Sequence, residues 1–446
     1  MFRKNEEIFS LDYLAPLVGD ETVQEGGSCR YSLKRFAYFL MNLVPYGGFL
    51  SAAFNLASAT LGAGIISLPS AFNFSGIILS LLLLFTVTLA TIYAIRLLVE
   101  SRELTDLTSY EAMARAFFGP GWDYFIASVM WLFTFGTCVA YIISIGDILD
   151  TAFASDSVPS FLRTQSGKRI MTSVIWFVGM FTMSLPKHIN SLRYASGLAI
   201  CCIFFFIACI VVHALQNGFK EGKLRDDVKL WKSGNAVVEG LSLFMFAYLC
   251  QVNCFEIYAE MTEPTVNKMT LYAAFSMFMC FVAYSASGFF GYADFGSEVT
   301  GSVLLHYDVN RETLFAVSFG GIAVKLCVGF ALNVQPARDS CYYLLGWNLQ
   351  TIPMWKHIIF CGSMSFAALL LGLFIPTVNT VFGLLGSLCG GLLGFCLPAL
   401  YRMYCGQWGL KEVGIVNFVC TYLLLFAGVV AVVFGTGASI YGVFIP

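Results

Sequence analysis

Between Lys268 and Asp294 the chain runs through 25 consecutive residues without a charged side chain, and the stretch 124–146 is equally free of charge. About 20 apolar residues in a helix are what it takes to cross the hydrocarbon core of a bilayer. Inside that core every backbone N–H and C=O must find its partner within the protein, so chains that repeat such runs are held to very few folds. The composition agrees: of 446 residues 58% are hydrophobic and 12% charged, where ordinary soluble domains carry about 25%. A soluble chain of this length could not cover its surface with so few ionisable groups. The aromatic share of 16%, with 43 Phe, suits lipid-facing and interfacial packing.

Eleven stretches are expected to span: 49–73, 76–99, 123–147, 170–185, 194–214, 236–260, 269–293, 314–337, 357–376, 378–401 and 413–435. The fourth is short and ends at Pro186. Placing the N-terminus in the cytosol puts 15 Lys and Arg on that side and nine on the other, five of those nine in the long 215–235 loop. Basic residues favour the cytosolic side, and long loops count for little in that bias. The expected order is a cytosolic tail at 1–45, a membrane domain at 46–435 and a short outer tail at 436–446. The start carries mixed charge (Arg3, Lys4, Glu6, Glu7) and no apolar core of leader length, so it is expected to be a polar tail.

Other functional classes find little support. Lys plus Arg (25) nearly balances Asp plus Glu (27), so no basic field exists to hold nucleic acid. The 15 Cys include no CxxC pair and no zinc spacing, so neither a metal nor another cofactor is expected. The proposed outer loops hold no Cys to form an external disulfide. Asn73-Phe74-Ser75 is formally a glycosylation sequon, but it sits at the lip of the first span, too near the bilayer to be modified.

Two spans are interrupted. Gly62-Ala63-Gly64 falls near the middle of the first, flanked by Ser58, Thr60 and Ser67. Each glycine weakens a helix by about 1 kcal/mol and lets backbone approach a ligand. The alternative is close packing of small residues between helices. The sixth span carries Gln251, Asn253, Glu256 and Glu260, which are expensive in lipid and mark a cavity or a partner. Interruptions at corresponding places in two halves point to a midplane binding site. The expected fold is therefore all-α and polytopic, with 11 transmembrane helices. Ten would form a five-plus-five inverted repeat, the first half at about 49–214 and the second at about 236–401, with 413–435 as an extra helix.

These residues are similar to a known pattern. Phe54-Asn55-Leu56, Gly62-Ala63-Gly64-Ile65 and Ser75-Gly76-Ile77 resemble the first helix of the amino acid/auxin permease family. Cys250, Ile257-Tyr258 and Glu260 match that family's sixth helix in register, and Pro336-Ala337-Arg338-Asp339-Ser340 its eighth. The stretches 250–261 and 325–340 look closest to the kinetoplastid branch of that family. The resemblance runs over all eleven spans. It implies an amino-acid–polyamine–organocation type fold, alternating access, and uptake of free amino acids with H⁺ or Na⁺. Two departures argue against Na⁺: Gln251 stands where the sodium-coupled branch has His, and Lys325 and Cys327 where it has a small residue and Thr.

The chemistry expected of the site follows from dipoles. Free N–H groups of Gly62, Ala63 and Gly64, at a positive helix end, should hold a substrate carboxylate. Carbonyls near Thr60 and at Leu249, Cys250 and Gln251 should take the ammonium. Asn55, Thr137, Tyr141, Asn253 and Glu256 complete the candidate substrate set, and Glu256 leans the expected preference to cationic amino acids such as arginine or lysine. Lys325 and Cys327 are the candidate coupling residues. Lys325 lies too deep to snorkel to either surface, so it is expected either to pair with a carboxylate of the sixth span or to take the place of Na⁺ through its own protonation. Transport is then expected to be H⁺-linked or facilitative. The expected membrane is the plasma membrane, with a vacuolar or lysosomal type as the alternative, and the oligomeric state is open. Three rivals stand beside a carrier: an enzyme, for which the chain lacks a deep His and a nucleophile–base pair; a channel, for which it lacks a filter motif; and an amino-acid sensor that binds without transport. A carrier of neutral amino acids is the nearest alternative.

Overall fold

The structure is a computed structural model that describes residues 47–155, 158–186, 193–220, 223–309, 312–349 and 351–444; the expected 1–45 tail lies outside these residues. Helix α1 (Phe49–Thr60) stops at Leu61-Gly62, and the chain resumes as a 3₁₀ turn (Ala63–Ser67) that runs into α2 (Leu68–Ser75), bent by 49° from α1. Then come α3 (Ile77–Thr105), a short amphipathic helix α4 (Tyr110–Phe118) and α5 (Trp122–Ala152). Helix α6 (Gln165–Ile175) continues through a π-helical stretch (Trp176–Phe181) to a last turn at Thr182–Ser184. After α7 (Arg193–His213) a two-residue hairpin pairs β1 (Phe219–Lys220) antiparallel with β2 (Lys223–Leu224).

The second interruption separates α8 (Asn235–Ala247) from a 3₁₀ turn (Gln251–Asn253) and α9 (Cys254–Glu260). Helices α10 (Val266–Phe295), α11 (Thr313–Leu345), α12 (Met354–Phe374), α13 (Val378–Tyr404) and α14 (Ile415–Gly442) complete the chain. Among the described residues nine helices are long and apolar enough to cross a membrane, or ten when α1 and α2 count as one bent span. The expected eleventh is α6. It is helical, but its first turn holds Gln165, Lys168 and Arg169, and Lys168 reaches back to pair with Asp150 at the end of α5. The last helix also corrects the expectation of a tail from 436, because Thr436–Phe444 remains helical and belongs to the same span.

Burial separates centre from rim. The apolar stretches of α5 and α13 are 72% buried inside the protein, and that of α14 only 28%. α11 lies along α5 and α7, α10 packs on α1, α2 and α3, and α8 is held between α2 and α13. α14 docks on the outside of α13. Leu82, Phe85 and Leu89 on α3, Phe278 and Val282 on α10, and Phe426 and Phe434 on α14 are exposed large apolar side chains, the outward faces that lipid covers. This is a multi-pass integral membrane protein.

Two contacts show why glycine recurs on α10. A Cβ at Gly288 would overlap the ring of Phe72, and one at Gly291 would come within 2.9 Å of Cβ of Pro69. Both rows of small residues let α10 seat against α2. Near the C-terminal end of α2, Asn73 is buried, donates to the carbonyls of Ser297 and Val299, and accepts from Nζ of Lys232 at 2.7 Å. Its amide is spent on these bonds, so the sequon has no free nitrogen to carry a glycan. Around it the loop after the hairpin clips onto the α2–α3 corner: Ile77 and Ile78 donate to the carbonyls of Lys229 and Leu230, and Lys232 donates to that of Ser75. Gly76, at φ +78°, turns that corner where a side chain would strike the backbone of Trp231.

His213 closes a second contact. Its Nδ1 lies 2.5 Å from Oδ2 of Asp294 on α10, and its Nε2 lies 3.0 Å from Oε1 of Glu312 just before α11. One imidazole thereby joins the end of α7, the end of α10 and the start of α11.

Overpacking at close helix contacts typically costs about 1–3 kcal/mol. Gly288→Ala is therefore expected to lower the amount of folded protein reaching the membrane severalfold. Gly197→Ala, on α7 with open space around it, should leave that amount unchanged. Quantitative surface labelling of the two variants checks the contrast.

Candidate functional site

The two interruptions meet in space. A Cβ on Gly64 would lie 3.0 Å from Cα of Ala247, so the start of the resumed first helix touches the end of α8 backbone to backbone. Only a residue without Cβ permits that approach. At the first break Leu61 N–H still bonds back to Ala57, Gly62 N–H turns onto the carbonyl of Thr60 at 2.7 Å, and Gly62 itself is extended (φ −108°, ψ −155°). The helix that begins at Ala63 has no side-chain cap. Its first N–H groups therefore end at the break as a positive pole, the usual seat for a carboxylate or another anion.

The carbonyl side has a partner that reading the sequence missed. The hydroxyl of Tyr284, in mid-α10, donates to the carbonyl of Thr60 at 2.6 Å and to that of Ala247 at 2.9 Å. These are the last residues of α1 and α8. Tyr284 is fully buried and packs edge to face with Tyr248, whose own hydroxyl meets Thr88 at 2.8 Å. One turn further along α10, Ser287 reaches the carbonyl of Ile65 at 3.4 Å. One signal pointed to Tyr284: tyrosines of membrane proteins gather at the interfaces, and this one stands deep inside a charge-free run. A buried tyrosine hydroxyl normally has a bond to make.

The expected residues divide around this point. Thr60 is buried, and its hydroxyl, bonded to the Leu56 carbonyl, adjoins the thiols of Cys250 and Cys280. Gly62 faces Tyr141: a Cβ there would stand 3.6 Å from the phenol oxygen. Tyr141 also packs against Gly329 of α11 and accepts from Nδ2 of Asn333 at 3.5 Å, which adds Asn333 to the site. Ala63 and Cys250 are buried within the same region. Gln251 is 1% exposed and its Oε1 has no bonding partner among the described residues, while its amide end lies beside Gly394. Asn253 is half-buried, and Thr137 bonds its hydroxyl to its own helix at Phe133.

Other expected residues stand apart. Asn55 is exposed on α1, more than a turn before the break, with its side chain away from the buried side of the helix. Glu256 is exposed on α9, and its charged neighbours are the acidic Asp339 and Glu260. Cys327 turns toward Gly179 of α6, with Sγ 3.1 Å from where a Cβ would be. Lys325 is 5% exposed and makes no ion pair among the described residues, so the expected bond to a carboxylate of the sixth span is not formed. It lies on the face of α11 that carries Gly321 against Cys202 of α7 and Gly329 against Tyr141. The described cysteines are all free, and no group of three or more His, Cys, Asp or Glu among the described residues could hold a metal.

Comparison with known proteins comes to the same region of sequence space. The family model described as "Transmembrane amino acid transporter protein" matches residues 46–441. "Solute carrier family 38 member 10" of Mus musculus is 26% identical over 362 residues, covering 78% of this chain and 32% of the relative. The Homo sapiens protein of the same name is 26% identical over 360 residues, covering 78% of this chain and 31% of its own length. The chain thus spans about a third of the length of the curated relatives it matches.

The two glycines of the break should respond differently to a methyl group. At Gly62 the added carbon meets only ordinary contacts, whereas at Gly64 it presses on the backbone of α8. Gly62→Ala is expected to fold to normal levels and lose uptake, because the methyl stands before Tyr141 in the binding space. Gly64→Ala is expected to lose both. Surface amount measured beside uptake of a radiolabelled amino acid separates the two cases.

Proposed function

This chain belongs to the transmembrane amino acid transporter family, and from that membership we propose that it is a secondary carrier moving free α-amino acids across a membrane by alternating access. The observation that carries this reading is the juxtaposed pair of broken helix ends. An uncapped N-terminus at Ala63 offers N–H groups to the α-carboxylate, and the terminal carbonyls of Thr60 and Ala247 lie beside it for the α-ammonium. A zwitterion is the ligand that answers both poles at once. In the same reading α6 is the remaining span of an eleven-helix protein. The stretches about 49–214 and 236–401 form inverted repeats, 413–435 is the added helix, and the carrier resides in the plasma membrane.

Selectivity and coupling are read from two charges. Glu256 has only acidic charged neighbours, and among the described residues it pairs with no base. A cationic side chain of the substrate supplies the missing countercharge, which favours arginine or lysine over neutral amino acids. Lys325 is a buried cation without a paired carboxylate among the described residues. Its ammonium takes the role that a metal ion plays in sodium-coupled carriers, and proton gain and loss there links transport to H⁺.

Uptake assays in a host lacking its own permeases test each part. Radiolabelled arginine or lysine should accumulate, and uptake should persist when choline replaces Na⁺. Lys325→Met should flatten the dependence of uptake on external pH; a strict Na⁺ requirement in the unmodified protein would sink the coupling assignment. Glu256→Gln should weaken arginine uptake about tenfold, the effect of losing one charge pair of about 1.4 kcal/mol, and spare leucine. An equal loss for both substrates would leave Glu256 without a role in selectivity.

A further inference from the structure

The hydroxyl of Tyr284 has one proton, and two carbonyls share it, Thr60 at 2.6 Å and Ala247 at 2.9 Å. These carbonyls close the two half-helices whose ends form the proposed ammonium site, so this inference rests on that reading. We infer that Tyr284 is a resident stand-in for the substrate ammonium: it occupies the acceptors of the empty carrier and yields them when a substrate binds.

The physical case begins with what the empty site would otherwise contain. A carbonyl at the end of a broken helix has lost its N–H partner and, buried, is costly to leave unpaired. The Thr60 carbonyl has a second donor in Gly62 N–H, at 2.7 Å, and the Ala247 carbonyl has Tyr284 as its one bond outside helix geometry. A single phenol proton divided between two acceptors satisfies neither fully. An ammonium brings three N–H donors and a full charge, and charge-assisted bonds are about twice as strong as neutral ones. The exchange of phenol for ammonium is therefore favourable, but smaller than binding to bare carbonyls would be. Tyr284 is suited to this role because it belongs to a third helix. Its ring is fixed by burial, by the edge-to-face contact with Tyr248 at 5.3 Å, and by α10 seating on α2.

The consequence is a specific kinetic signature. Removing the hydroxyl leaves the acceptors of the empty carrier unpaired, and it spares the loaded carrier a buried phenol that has given up its acceptors. Tyr284→Phe should then bind substrate more tightly and release it more slowly. We expect the KM for radiolabelled L-arginine, measured with the full chain in intact cells, to fall about fivefold, and the maximal rate per surface transporter to fall with it. A purely structural tyrosine would lower the number of transporters and leave KM unchanged. A tyrosine that itself grips the substrate would raise KM. Either result overturns the proposal.

Two controls keep the outcome readable. Tyr248→Phe removes the neighbouring phenol, which bonds Thr88 and no broken end, and should leave KM unchanged. If Tyr284→Phe is too unstable to assay, saturating L-arginine during growth and membrane extraction should restore its yield to that of the unmodified protein. A loss that arginine does not relieve also overturns the proposal. If the unmodified carrier takes up arginine and the variant keeps the normal KM, the stand-in role alone fails. If the unmodified protein takes up neither arginine nor leucine, it is the transport reading that fails.

Discussion

Backbone groups in a bilayer have no water to fall back on, and the whole architecture turns on how two deliberately broken helices meet that demand. Each break frees N–H groups on one side and carbonyls on the other. The protein answers by placing both breaks together, where Gly64 lets α8 approach to backbone contact. A third helix, α10, then supplies a hydroxyl to the freed groups, Tyr284 to the carbonyls of Thr60 and Ala247, and beside it Ser287 reaches the carbonyl of Ile65 in the resumed helix. The remaining N–H pole at Ala63 is left uncapped. What would be a defect in an isolated helix becomes a cluster of polar backbone groups in an apolar medium, surrounded by helices that satisfy their own backbones.

The surrounding bundle encloses the two breaks in layers. α5 and α11, packed along one another, bring Tyr141 and Asn333 beside the first break. α13 backs α8, and Gly394 gives room to the amide of Gln251. α14 adds little to the interior, which fits a helix whose apolar stretch is mostly turned to lipid. Charges follow the same division. Arg225 pairs with Asp227 and Glu298 at one end of the bundle, and Arg402 with Glu100 at the other. Lys325 and the Oε1 of Gln251 are buried without such partners among the described residues.

Most of the fold was legible because a bilayer imposes a simple pattern: length and apolarity alone locate the spans. The exception, α6, opens with Lys168 and Arg169, whose charge is accommodated by Asp150, a contact that no local window contains. Of the candidate site, the two helix interruptions were readable, since glycine pairs and polar clusters inside apolar runs are rare. Gly62 and Gly64 mark the first, and Gln251 and Asn253 the second. Side chains were harder, because sequence gives spacing and leaves rotation about the helix axis open. Asn55 shares α1 with Thr60 but points away, and Glu256 lies on α9 facing Asp339. Tyr284 was hidden by an opposite effect: an aromatic residue in an apolar run reads as packing, and its partners lie 224 and 37 residues away.

The clip between the 229–232 segment and the α2–α3 corner has a mechanical meaning. Three backbone hydrogen bonds, with the Lys232–Asn73 bond beside them, fasten this loop to the far end of the half-helix that begins at the first break. Between the clip and Ala63 lie only the eight residues of α2 and the 3₁₀ turn. The loop and the start of the resumed helix are thus linked through one short hydrogen-bonded rod, and a displacement of either end is felt at the other.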